Sequence, residues 1–225
     1  MFTNNNSNSM KNRTFLIFCL LLVFSCNPPD SEISGDGDWE ISVLPSSVRL
    51  DPSTNTIIEH RFDGVDSYRP VQEHLLKQNW VYDGEKVNLY GARGEYISFQ
   101  LVLIKNSSST LKGIQVEAEK FASNTHQFSM APELFLEWAV EVKTPSTGYP
   151  KASLGKGWYP DALIPYPNIQ ADSSTVRWRW VYPLELPDFN NRIDHQQSAI
   201  FWIDQYIPLD PDLAPAGSYT YYRNR

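Results

Sequence analysis

Glu137 and Glu141, four residues apart, are the carboxylates whose spacing most invites an acid–base reading. On a strand that spacing corresponds to about 13 Å, wider than the roughly 5–9.5 Å of glycosidase carboxyl pairs. They read instead as a solvated polar face. Gly155-Lys156-Gly157 lacks the spacing of a phosphate-cradling loop. No Gly-x-Ser-x-Gly elbow occurs. The histidines His60, His74, His126 and His195 stand far apart, so no metal-ligand spacing emerges and neither a metal nor a cofactor is expected. His195, beside Asp194 in a polar turn, reads as solvated. The residues best suited to recognition are Trp158, Tyr159 and Tyr166, with Asp161 among them. Flat apolar rings with polar tips suit sugars and protein interfaces alike, and a carboxylate accepts hydroxyl hydrogen bonds. These four are candidates for glycan contact or for packing against another domain. Trp178 and Trp180 read as core.

A fifth residue carries a different chemistry. Lys11 and Arg13 precede ten apolar residues, Phe15 to Phe24, too few for a bilayer span of about 20. That pattern is a secretory signal. Val23-Phe24-Ser25-Cys26 then resembles a bacterial lipobox, with Cys26 as the lipid acceptor. Cleavage before Cys26 removes Lys11, Arg13 and no acid, taking the formal charge from −7 to −9. The one remaining cysteine would be acylated, so no disulfide is expected. Residues 1–25 are thus read as a lipoprotein signal peptide and 26–38, polar and acidic with Pro and Gly, as a flexible tether. The expected location is the bacterial outer membrane, on its cell-surface or periplasmic side.

The elements that must position the candidates are short β-type runs from Trp39 onward, a domain read as 39–225. In Tyr96–Ile104, Ile97, Phe99, Leu101 and Leu103 alternate on one face, and the other face turns apolar at Val102 and Ile104. Gly113–Glu119 alternates strictly, with Ile114, Val116 and Ala118 inward, and is expected to pair with the preceding run. Leu134, Leu136, Trp138, Val140 and Val142 share a face opposite Glu137, Glu141 and Lys143. Val176, Trp178 and Trp180 form another run, as does Ile200 to Ile207. Only Val71 to Trp80 reads as helical. Ten of the sixteen prolines fall between Pro145 and Pro215, and Thr147–Asn168 reads as a long aromatic, Pro-rich loop. The fold class expected is all-β: an antiparallel β-sandwich behind a lipoprotein signal.

Composition narrows the functions. The 225 residues are 41% hydrophobic, enough for one sandwich-sized core. Acids outnumber bases by 26 to 19 and no basic cluster stands out, which argues against nucleic acid.

Four segments, in order, resemble the N-terminal β-sandwich of glycoside hydrolase family 123 and the related domain-of-unknown-function 4091 proteins. They are Gly94–Leu103, Gly157–Tyr166, Gln197–Pro208 and Ala214–Thr220. The resemblance implies a following (β/α)-barrel whose adjacent Asp-Glu pair hydrolyses β-linked N-acetylgalactosamine with the substrate's acetamido group as nucleophile, a recognised variant of glycoside hydrolysis. Nothing follows residue 225 here, whereas a barrel needs about 200 residues or more. No catalytic residue is therefore carried over, and a truncated last strand, from a frameshift or premature stop, is expected. The function expected is a non-catalytic accessory domain of a surface glycoside hydrolase, with the membrane and the absent barrel as partners and a glycan as a further candidate. The alternatives are a free-standing glycan-binding surface lipoprotein and a structural adhesion-type sandwich.

Overall fold

Tyr96–Lys105 is apolar on both faces over its second half, and a strand patterned that way belongs in the middle of a covered sheet. The computed structural model, which describes residues 37–61, 75–123, 125–144, 154–165 and 184–219, places it there. Among the described residues the strands are β1 (Trp39–Pro45), β2 (Leu50–Asp51), β3 (Thr56–Ile57), β4 (Tyr96–Lys105), β5 (Glu133–Val142), β6 (Gly157–Pro165) and β7 (Ser198–Tyr206), with a short 3₁₀ turn at Ile58–Arg61. Five form an antiparallel sheet in the order β1-β4-β7-β5-β6, and β2-β3 form a second, two-stranded sheet. The fold is all-β and antiparallel, of the β-sandwich type.

Each face of the large sheet has its own cover. On one face Leu44, Val102, Ile104 and Ile200 meet Leu50 and Ile57 of the small sheet, with Val48 and Leu75 beside them. Fully burying a side chain of this size contributes roughly 1.5–3 kcal/mol. The buried Gln100 donates to Pro45 O (3.0 Å) and Val48 O (2.6 Å), which fixes the turn leading into β2. On the other face Val43, Phe99 and Ile203 lie under Tyr82, Val81, Val87 and Leu89. Farther along that face Leu103, Phe201, Leu136 and Ala199 meet Leu184 and Leu186, joined by Leu111, Ile114 and Val116.

Two expectations are corrected, and a third in its last part. Gly113–Glu119 does not pair with β4, because both edges of β4 are taken by β1 and β7. Its alternation is nevertheless used, since Ile114, Val116 and Ala118 are half-buried between exposed neighbours. Leu111 exchanges backbone hydrogen bonds with Leu186 at 3.0 and 2.9 Å, and Ile114 N–H donates to Leu184 O. The segment expected as one long loop holds β6, hydrogen-bonded along β5. Of the predicted helix, residues 71–74 lie outside the described residues and Leu75 is helical. From Leu76 the chain turns, and Asn79 closes the turn by donating to Val43 O (2.7 Å) and Leu75 O (2.9 Å) while accepting from Val81 N–H and Tyr82 N–H. The run around Trp178 and Trp180 also lies outside the described residues.

Candidate functional site

Trp158 and Tyr159 begin β6, and the structure builds both into a polar junction with the small sheet. Asp51 ends β2 and is 2% exposed. Its carboxylate accepts from Arg61 Nη2 (2.6 Å), Ser53 Oγ (2.6 Å), Ser53 N–H (2.9 Å) and Trp158 N–H (3.2 Å). Burial pushes the Asp51 carboxyl up, but the hydrogen bonds from Ser53 and Arg61, with the backbone N–H of Ser53 and Trp158, outweigh it. They hold its pKa below the ordinary 3.8. Arg61 also donates to Lys156 O at 3.1 Å. The Arg61 and Arg49 guanidinium carbons lie 5.8 and 6.0 Å from the Tyr159 ring centroid, and the Tyr159 hydroxyl donates to Gly155 O at 2.8 Å. Charge, ring and backbone here hold one another, as a structural pin does.

Gly157 makes the approach possible. Its φ is +142°, and a Cβ there would lie 2.6 Å from Arg61 Nη1 and 2.8 Å from Asp51 Oδ2. Gly157→Ala is expected to lower stability by about 2–3 kcal/mol, through backbone strain and displacement of the ion pair. Chemical denaturation of both proteins checks this, and an unchanged midpoint contradicts it.

Asp161 sits apart from this pin. Between β5 and β6, Trp138 faces Ala162 whereas Ala139 faces Pro160. Asp161 is therefore the extra residue of a bulge and is exposed. Tyr166 and Cys26 lie outside the described residues, so the structure joins Trp158 and Tyr159 but leaves Asp161 separate. The slip also revises the polar face expected on β5. Leu136 is buried, but beyond the slip Ala139 is buried and Val140 is 45% exposed.

Glu137 and Glu141 part company as well. Glu141 is exposed and pairs with Lys143 at 3.1 Å. Glu137, expected in solvent, lines a crevice of about 10 Å³, roughly one water, with Pro52, Asp188, Asn191 and Gln196. Burial pushes its pKa to about 8. The residue as a whole is half-buried, and desolvation is the cause of the shift. His195 is exposed, with φ 56°. Among the described residues no group of three or more His, Cys, Asp or Glu side chains converges as a metal site would require.

A constellation not singled out from sequence lies on β4 and β7. Tyr96 pairs with Tyr206, Ser98 with Asp204 and Gln100 with Trp202, so these six share one face. Asp204 Oδ1 accepts from Trp202 Nε1 at 2.6 Å and from Ser98 Oγ. The Tyr96 and Tyr206 rings stand 5.1 Å apart and tilted by 45°. From β5, Phe135 pairs with Trp202 and Glu133 with Asp204. Tyr96 is 60% exposed, while Trp202, Asp204 and Tyr206 are half-buried. The sequence signal is the alternation Trp202-x-Asp204-x-Tyr206 on a strand whose other face is core.

No protein-family model matches the chain, and no curated protein matches it.

Proposed function

We propose that the chain is a non-catalytic accessory β-sandwich of a surface-anchored glycoside hydrolase acting on N-acetylgalactosamine-type glycans, tied to the bacterial outer membrane through Cys26. The observation that carries the reading is the use made of Trp158 and Tyr159. Both lie in a segment on which the family resemblance rests, and both are pinned at the Asp51–Arg61 junction between the two sheets. That is the employment of residues in a scaffold. Two further segments of the resemblance, Gly94–Leu103 and Gln197–Pro208, hold most of β4 and all of β7, neighbours at the middle of the large sheet. A rigid sheet of this kind supports and orients a partner domain. A second reading, a glycan-binding surface lipoprotein, draws on the aromatic face of β4 and β7.

Anchorage follows from acyl chemistry. Among the described residues no helix is long and apolar enough to cross a membrane, and acyl chains on Cys26 would supply roughly 0.8 kcal/mol per buried CH₂. Expressed in a Gram-negative host with radiolabelled palmitate, the natural chain is expected in the detergent phase carrying label. Cys26→Ala is expected in the aqueous phase without it. Label on the Ala variant contradicts the anchor. The non-catalytic part of the reading is checked by incubating the full chain with a chromogenic β-N-acetylgalactosaminide, for which no release is expected. Release that survives purification to constant specific activity contradicts it.

A further inference from the structure

We propose that the aromatic face formed by Tyr96, Tyr206 and Trp202 around Asp204 is a binding surface for a short neutral oligosaccharide. The inference rests on the reading above in taking the chain to meet glycans, and it gives that contact a place and a chemistry. Three observations converge on it.

The first is shape. Tyr96 and Tyr206 form one rung of the β4–β7 ladder, Ser98 and Asp204 the next, and Gln100 and Trp202 the third. From the first rung to the third is about 13 Å along a strand, with rings at both ends and a carboxylate between. Aromatic faces and edges accept the apolar C–H side of a pyranose, and the tyrosine hydroxyls remain as polar tips.

The second is the state of Asp204. Trp202 Nε1 and Ser98 Oγ both donate to Oδ1, which fixes the carboxylate plane. Among the described residues no group donates to Oδ2. A carboxylate held on one oxygen and open on the other is prepared to accept from a hydroxyl without reorganising, and charge-assisted bonds of this kind are the stronger ones.

The third is charge. Glu133 lies directly across from Asp204 on β5, and among the described residues neither carboxylate forms an ion pair with Lys or Arg. Two unneutralised carboxylates repel phosphate, sulfate and uronate groups, and a hydroxyl-rich neutral ligand meets no such penalty. A protein partner would require a far larger face, about 800 Å² on each side. The pinned residues Trp158 and Tyr159 belong to a different place, the junction of β6 with β2.

The test uses the full chain in detergent, titrated calorimetrically with neutral hexasaccharides of β-linked glucose, galactose and N-acetylated hexosamine. A heparin hexasaccharide serves as the anionic probe. At least one neutral probe is expected to bind, and heparin is not. Trp202→Ala is expected to weaken that binding about tenfold or more. Asp204→Asn, nearly isosteric and retaining the fold, is expected to weaken it about tenfold as well. Trp80→Ala, which removes an exposed ring elsewhere, is expected to change it less than twofold. Failure of every neutral probe, preference for heparin, or equal loss with Trp80→Ala overturns the inference. Binding that survives both Trp202→Ala and Asp204→Asn also overturns it while leaving the accessory-domain reading intact. Hydrolysis of a probe by the chain alone would do the reverse, removing the non-catalytic reading while the variants still decide the surface.

Discussion

Arg61→Ala lowers the unfolding free energy at neutral pH by about 3 kcal/mol. The expected loss is large because Arg61 is, among the described residues, the cation paired with Asp51, whose side chain is 2% exposed. Removing it strands a buried carboxylate that Ser53 and the Trp158 N–H can only partly satisfy. The same change removes a donor to Lys156 O and a guanidinium group beside Tyr159. The entry into β6 is thereby loosened from the small sheet. The sign with pH is fixed by the depressed folded pKa of Asp51. Its contribution is fully present above the ordinary value of 3.8 and is lost as pH falls through the folded value. The gap between natural and Arg61→Ala proteins is therefore widest near neutrality and narrows in acid. A second variant separates charge from packing. Asp51→Asn on the Arg61→Ala background removes the stranded charge and is expected to recover a third or more of the loss in a double-mutant cycle. Denaturant unfolding of the four proteins at pH 7 and pH 3 gives the answer, and equal gaps at the two pH values contradict the pin.

Glu137→Gln does the opposite: it stabilises, and increasingly so as pH rises. The carboxyl of Glu137 has its pKa raised from 4.5 to about 8 by burial. Between those values the folded chain keeps a proton that the unfolded chain has released. Its stability from this group is therefore fully present below 4.5 and lost as pH climbs through 8. Glutamine never bears the charge, so the variant escapes that loss. At pH 9 the gain is on the order of 3 kcal/mol, discounted for a side chain that is only half-buried as a whole. At pH 4 the two proteins converge. Thermal unfolding across pH 4–9 measures the difference, and a difference that is flat with pH contradicts a desolvated carboxyl beside the Gln196 crevice.

The frame was more legible in the sequence than the site. Period-two patterning is a local signal, so the runs of β4, β5 and β7 could be read directly. The second half of β4 is apolar on both faces, and the structure puts Val102 and Ile104 under the small sheet. Pairing is not local. Ile114, Val116 and Ala118 carry a strand's alternation, yet the neighbours of β4 come from residues 39–45 and 198–206, which nothing near 113–119 could announce. The register slip opposite Asp161 is equally invisible, because a bulge is a property of two strands together. It lies where the buried side of β5 passes from Leu136 to Ala139, and Glu137 beside it lines a crevice in place of the solvated face assigned to it. Proline density around residue 160 argued for loop, but Pro160 and Pro165 lie in β6, the outermost of the described strands, where a missing N–H is tolerated.

The aromatic residues show the same division. Trp158 and Tyr159 drew attention by their density in the chain, and folding spends them on Arg49, Arg61 and Asp51. In the sequence Trp202 and Tyr206 are members of the run Ile200 to Ile207 with no site role assigned. Only pairing with β4 brings Tyr96 and Ser98 beside them and turns Asp204 into a fixed acceptor. Composition draws the eye to clusters along the chain, whereas recognition surfaces form across it.

The reading as an accessory domain requires a catalytic neighbour, and that requirement can be checked without expressing anything. Sequencing the source DNA beyond codon 225 in all three frames is expected to reveal a (β/α)-barrel bearing an adjacent Asp-Glu pair. A stop followed by an unrelated gene in every frame would contradict the account.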